Sequence, residues 1–203
     1  MKKNKISKNW LRRQKKDIYV KKSKSEGYRS RAVYKLQEID NKFKLFNNNI
    51  SVIDLGAAPG SWSQYVSKKV KNGKILSIDL LEIENINNTS HVIGDFTDDK
   101  VKKVIRNFFE SKIDVVLSDM ATNTTGNKNI DSIVTGELCL NAMKFSKEML
   151  KNEGQFVSKI FMGSVFNEIA SEAKKNFKIV KIFKPMASRK NSKENFIICK
   201  YLK

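Results

Sequence analysis

The 203 residues predict an α/β fold, a mostly parallel seven-stranded sheet with helices on both faces and an antiparallel last strand. Three observations carry that expectation. Short β-branched runs alternate with segments of helical apolar spacing, the order that builds a parallel sheet covered on both sides. A glycine-bracketed turn after the first run opens a helix, where open α/β sheets place their ligand loops. The last two runs are joined by no helix, only by Lys184–Glu194, and so short a connection reverses the strand.

Each element follows in order. Residues 1–24 hold eleven Lys or Arg against one acid, Asp17, and read as a basic arm ahead of a single domain over 25–203. Ser30–Phe46 places Val33, Leu36, Ile39 and Phe43 at helical spacing. Ser51–Leu55 is a strand, Trp62–Val70 a helix, Lys74–Asp79 a second strand and His91–Gly94 a weaker third. Asp98–Phe109 is helical, with Val101, Val104, Ile105 and Phe108 on one face, and Ile113–Ser118 is a strongly apolar strand. Thr135–Leu150 is a helix closed by Lys151–Gly154. Gln155–Ile160, Lys178–Phe183 and Asn195–Tyr201 are the last strands, with a helix over Ser164–Lys175. Glu84–Ser90 and Ala121–Asp131 read as surface loops.

Composition removes whole classes of chemistry. His91 is the only histidine, so Ser-His-Asp, Cys-His and multi-histidine metal chemistry are excluded. Cys139 and Cys199 stand alone inside predicted elements and read as small buried hydrophobes, giving neither a disulfide framework nor a metal site. No apolar run is long enough to span a bilayer, and the lysine-rich start lacks the apolar stretch of a secretory signal, so a cytoplasmic protein is expected. The net charge of +19 favours a polyanionic partner, and more than half of it falls in residues 1–24. Nucleic acid is expected rather than a membrane surface, since the arm lacks an apolar anchoring face. A monomer is expected.

The segment Val52–Trp62 is the most specific. A buried strand delivers Asp54, then Gly56 and Gly60 bracket a tight turn, with Pro59 expected to pre-set the first helical residue. Ala58 stands where a dinucleotide fingerprint needs its second glycine, which disfavours a nicotinamide dehydrogenase. S-adenosylmethionine has no pyrophosphate to accommodate. Asp79 falls at the offset where an acid meets the ribose hydroxyls of an adenosine cofactor, and Asp95, after Gly94, is placed to accept from its adenine amino group. With Asp54 and Asp119 these acids close four strands along one trench. A helix-free reversed last strand also fits the methyltransferase version of the Rossmann plan better than the dehydrogenase version.

A ribose hydroxyl is a very weak acid, so its methylation needs a base or an orienting acceptor. Without a usable histidine, lysine is the natural candidate. Lys159 sits in the apolar run Phe156–Phe161, where a lysine is costly without a purpose. Four segments, Ser30–Leu36, Asp54–Gln64, Leu117–Ala121 and Val157–Phe161, together resemble the FtsJ/RlmE family of RNA 2′-O-methyltransferases. The resemblance runs from about Trp10 to the C-terminus with family-like order and spacing.

That resemblance implies a Rossmann-like, S-adenosylmethionine-dependent methyltransferase with a Lys-Asp-Lys-Glu tetrad on Lys35, Asp119, Lys159 and Glu194. Lys159 would be the base, Lys35 and Glu194 would orient the ribose and tune that lysine, and Asp119 would bridge substrate and cofactor. Cofactor contacts would fall on Gly60, Trp62, Asp79, Asp95 and Asp119, with no metal. The implied substrate is a uridine in the A-loop of 23S rRNA in the large ribosomal subunit. Methylation of tRNA or of another rRNA site, and a non-catalytic ribosome-assembly factor, are the alternatives. Two departures from the family pattern are Ser61 and Thr122, where a glycine and a proline are usual. Cations at Arg29, Arg31, Arg189, Lys190 and Lys193 are expected to hold phosphates near the target ribose. Trp10 and Tyr28 read as packing residues, with base stacking as the other option.

Overall fold

The computed structural model describes residues 17–121, 128–189 and 191–203. The helices are α1 (Ile18–Ser25), α2 (Val33–Phe43), α3 (Ser61–Lys69), α4 (Asp99–Phe109), α5 (Lys128–Met149) and α6 (Phe166–Asn176). The strands are β1 (Val52–Leu55), β2 (Ile75–Asp79), β3 (Ser90–Ile93), β4 (Ile113–Ser118), β5 (Leu150–Phe161), β6 (Phe177–Phe183) and β7 (Glu194–Leu202).

The seven strands form one sheet in the order β3-β2-β1-β4-β5-β7-β6. β1 pairs in parallel with β2 and β4, and β4 with β5, so their C-terminal ends share one edge of the sheet. β7 runs antiparallel to β5 and β6, as the short connection before it requires. The chain leaves β1 toward β2 and later returns to β4 on its other side. The loops after β1 and β4 therefore flank the point where strand order reverses, the usual ligand crevice of an open α/β sheet.

Two apolar layers cover the sheet. On one face α2 and α3 bury Leu36, Ile39, Trp62 and Val66 against Val52, Val115, Val157 and Phe196. On the other, α4, α5 and α6 bury Ile105, Phe145 and Ala173 against Leu76, Val116, Phe156 and Ile197. Cys139 and Cys199 are both free and buried in the second layer. No helix among the described residues is long and apolar enough to cross a membrane.

Several boundaries differ from the sequence expectation. α1 was not expected; Asp17 caps it by accepting from the Tyr19 amide, and the lysine-dense sequence around it carries almost no apolar periodicity. α5 begins at Lys128 rather than Thr135, shortening the loop expected over Ala121–Asp131. β5 takes in Leu150–Gly154, which had read as a helix closure. Pro59 is not the first helical residue: it lies in the turn, its peptide bond with Ala58 is cis, and Gly60 is the N-cap. Residues 1–16, which make up most of the basic arm and include Trp10, lie outside the described residues, as do Thr122 and Lys190.

Candidate active site

The β1–α3 turn is built on two glycines. Gly56 has φ +69°, and a side chain there would run into Met120. Gly60 has φ +102°, with Arg29, Ile83 and Ile86 crowding the place of a Cβ, so only glycine fits the backbone and the space. Asp79, at the end of β2, accepts from the Ala58 amide at 2.9 Å and the Leu81 amide at 2.9 Å, tying the β1 loop to the β2 loop.

A cleft of about 750 Å³ opens beside these loops and is lined by Gly56, Ala58, Asp79, Leu81, Asp95, Phe96, Asp119 and Met120 among others. That volume lies within the roughly 300–1,000 Å³ of small-molecule sites. The sequence-predicted Asp79, Asp95 and Asp119 all reach it. Asp95 also accepts from the Thr97 amide and hydroxyl, which fixes its carboxylate at the rim. Gly60 does not line it. Trp62 lines a smaller adjoining cavity with Asp54, Ala57, Ser61 and Asp119; its indole is 2% exposed, donates to the Ala32 carbonyl and packs on Phe196. Ser61 opens α3, is buried, and shares a 2.8 Å hydrogen bond with Ser30, so serine fits the helical backbone there.

Asp54 is fully enclosed. Ser63 donates to it at 2.6 Å and is itself paired with Ser77 at 2.7 Å. Burial pushes its carboxyl up to about 7; Asp119 and Asp79 add to the rise, while the Ser63 bond opposes it.

Beyond the cleft the four tetrad side chains converge. Lys35, on α2, donates to Glu194 at 2.7 Å and stands 3.7 Å from Asp119. Lys159, on β5 and 6% exposed, donates to the Asp119 carbonyl at 2.6 Å and lies 3.2 Å from its carboxylate. The Asp119 Oδ1 atom is shut off from water and accepts no hydrogen bond among the described residues. Ser188 donates to Glu194 at 2.7 Å. Burial works against the Lys35 ammonium, but the Asp119 and Glu194 carboxylates outweigh it and raise its proton affinity. Antiparallel pairing brings Lys159 and Glu194 to the same end of the sheet: β5 and β7 run past each other with Lys159 opposite Phe196 and Phe161 opposite Glu194.

Two of the cations expected to hold phosphates face the protein instead. Arg29 donates to the carbonyls of Pro59 (3.1 Å), Glu84 (2.9 Å) and Asn85 (3.0 Å), strapping the glycine turn to the loop after β2. Arg31 is bonded to Asp17 and to the Ala187 carbonyl. Arg189 stays partly open and, with Ser30, Lys35, Ser192 and Glu194, lines a recess of about 230 Å³ beside the tetrad. Lys193 is exposed. Tyr28 packs edge-on against Tyr34.

Glu38 is a residue that sequence reading missed. Its carboxylate accepts from the Met186 amide at 2.5 Å and the Ala187 amide at 2.8 Å. Arg31, Lys35 and Glu38 stand on successive turns, so one side of this segment grips the whole loop leading into Glu194. Only that spacing signalled it. Among the described residues no group of three or more His, Cys, Asp or Glu is arranged to hold a metal ion.

The family profile described as FtsJ-like methyltransferase matches residues 28–202. The chain is 64% identical over 203 residues to the ribosomal RNA large subunit methyltransferase E of Pelagibacter ubique, covering 100% of both chains. It is 48% identical over 198 residues to the Rickettsia felis protein of the same name, covering 95% of this chain and 87% of that one. Among solved structures, a Plasmodium falciparum protein designated a candidate ribosomal RNA methyltransferase superposes with TM-score 0.79 at 33% identity, over 86% of this chain and 98% of that one. Human methyltransferase-like protein 13, solved with SAH, shares the fold at TM-score 0.63 and 13% identity, over 83% and 81% of the two chains. The convergence of Lys35, Asp119, Lys159 and Glu194 thus sits within a profile match spanning nearly the whole described chain, and the chain belongs to the FtsJ-like methyltransferases.

Proposed function

We propose that this chain transfers the methyl group of S-adenosylmethionine to a ribose 2′-hydroxyl of large-subunit ribosomal RNA, at a uridine of the 23S A-loop. The observation that carries this is the meeting of two lysines, the buried Lys159 and the half-buried Lys35, on one carboxylate, Asp119, at the mouth of the cleft. Relatives at 64% and 48% identity named ribosomal RNA large subunit methyltransferase E support the substrate class. The cofactor fits the residues present. Asp79 and Asp95 offer carboxylate oxygens to hydroxyl and amino donors, Asp119 lines the same cleft, and no lysine or arginine lines it among the described residues.

When bound, S-adenosylmethionine supplies an electrophilic methyl on a sulfonium. The protein has to hold the ribose oxygen in place and take its proton. Lys35 keeps its ammonium because two carboxylates surround it, and Lys159 is the group assigned to take the proton. Lys159 is held by a neutral carbonyl and one shared carboxylate, and its apolar strand keeps bulk water from its Nζ. Glu194, braced by Ser188, fixes Lys35 and orients the ribose. The basic segment 1–24 serves to hold RNA by charge.

The test is transfer of labelled methyl to large ribosomal subunits, with the modified nucleotide mapped by mass spectrometry. Lys159→Ala is expected to lower the rate by roughly 10²–10⁴ while cofactor binding persists. Full activity in that variant would refute the base assignment, and a modified base or tRNA nucleotide would refute the substrate.

A further inference from the structure

A second recess, of about 520 Å³, lies on the outer side of the Gly27–Arg29 link, between α3 and the loop after β2. Gln64, Ser67, Lys68, Lys71, Asn85 and Asn87 contribute to its walls, and no carboxylate lines it among the described residues. Amide, hydroxyl and ammonium donors without an opposing acid are the groups that proteins turn toward phosphodiester oxygens. Lys68 and Lys71 are exposed, and no ion pair engages either among the described residues; the Lys68 ammonium rests 4.0 Å from the Tyr28 ring centroid. Two acids near its walls have protein partners. Glu84 leans toward Arg29 at 3.6 Å, and Glu26 accepts from Tyr34.

Charge is also divided between the two faces of the sheet. Residues 17–71, which supply α1, α2 and α3, hold eleven Lys or Arg and five Asp or Glu. Asp40 and Asp54 are buried and Asp17 is paired with Arg31, so the exposed charge of this face is predominantly positive. Residues 99–176, which supply α4, α5 and α6, hold twelve basic and ten acidic residues. The recess beside the tetrad and this outer groove share one wall, the link between α1 and α2, with Ser30 and Arg31 on one side and Gly27 and Arg29 on the other.

We propose that the outer groove is a second RNA site, which takes phosphodiesters of the substrate strand after it crosses that link. The proposal rests on the RNA-methylating reading above. Its recognition is by charge and amide donors, so it carries no base sequence. Single-stranded RNA contributes a slope of roughly 0.7 in log affinity against log salt for each phosphate contact.

The experiment compares the full chain with Lys68→Glu/Lys71→Glu and, as a control on the opposite face, with Lys144→Glu/Lys147→Glu. Binding to protein-free large-subunit rRNA is measured over a salt series, together with S-adenosylmethionine affinity and methyl transfer at saturating RNA. The groove variant should bind RNA roughly tenfold more weakly at low salt, with a slope shallower by about 1.4, while cofactor affinity and saturated rate are retained. Lys68→Gln/Lys71→Gln should show the same loss at about half the size or more. Unchanged affinity and slope in the groove variant, or an equal loss in the opposite-face control, would overturn the proposal while leaving the RNA-methylating reading intact. Unmutated protein that neither binds nor methylates rRNA would overturn both.

Discussion

Lys159 donates to the main-chain carbonyl of Asp119 at 2.6 Å, closer than the 3.2 Å that separates it from the same residue's carboxylate. Its placement is thus secured by backbone that no side-chain change removes. Asp119→Asn is expected to leave Lys159 where it is and the fold intact, yet to slow methyl transfer by roughly 10²-fold or more, because the charge shared by both lysines is gone. A structure of the variant with Nζ swung away from the carbonyl would count against this view.

Arg29 should act on the cofactor rather than on RNA. Its three carbonyl bonds hold the glycine turn against the loop after β2. Arg29→Ala is predicted to lower stability by about 1–2 kcal/mol and to weaken S-adenosylmethionine roughly tenfold, while the salt dependence of RNA binding stays as it was. Calorimetry and a salt titration separate the two. A flattened RNA slope with unchanged cofactor affinity would return Arg29 to the phosphate role.

Glu38 touches no reacting atom, yet it positions the loop that ends in Glu194. Replacing it with alanine leaves two amide donors without their acceptor, which costs about 1–3 kcal/mol for each that stays buried. The expected outcome for Glu38→Ala is a rise in KM for RNA with little change in cofactor affinity. Glu38→Gln, which keeps an acceptor oxygen, should recover most of the loss. Equal damage in both variants would mean that the role is electrostatic rather than positional.

Asp54 gives the protein without cofactor a pH signature. Burial pushes its carboxyl from 3.8 to about 7, so the folded chain keeps a proton that the unfolded chain has lost. The folded state binds more protons in that window, and the Asp54 contribution to stability falls as pH rises from about 4 to 7, then levels off. Asp54→Asn lacks this dependence, so its stability relative to the unmutated protein should climb across the window by about 4 kcal/mol at most. Denaturant unfolding at several pH values measures the gap; a gap that stays constant would refute the protonated carboxyl.

Much of this was legible in the sequence because the signals were local. The β-branched runs placed all seven strands, Ile113–Ser118 to the residue, and the absence of a helix before the last strand fixed its direction. Lys159 stood out because a lysine inside an apolar strand needs a reason to be there. Long-range bonding was not legible. Arg29 and Arg31 look like solvated cations in a basic sequence, and only the fold shows that carbonyls 30 and 156 residues away have claimed them. Glu38 was hidden for the same reason, since its partners are backbone amides 148 and 149 residues on. The helix Ile18–Ser25 was missed because tertiary contacts, the Tyr19–Tyr34 ring pair and Asp17–Arg31, stabilise it where its own pattern does not.

β7 carries Glu194, yet it is not an edge; β6 lies outside it and presents lysines 178 and 181 with the partly exposed Ile179 and Ile182. Open backbone on a sheet's rim invites pairing with foreign chains, and lysines blunt that tendency. The hazard of aggregation and the burden of chemistry thereby fall on different strands. Drift at the exposed positions of β6 would be felt first as lost solubility, whereas Phe177, stacked on Phe156 in the core, ties the same strand to the fold.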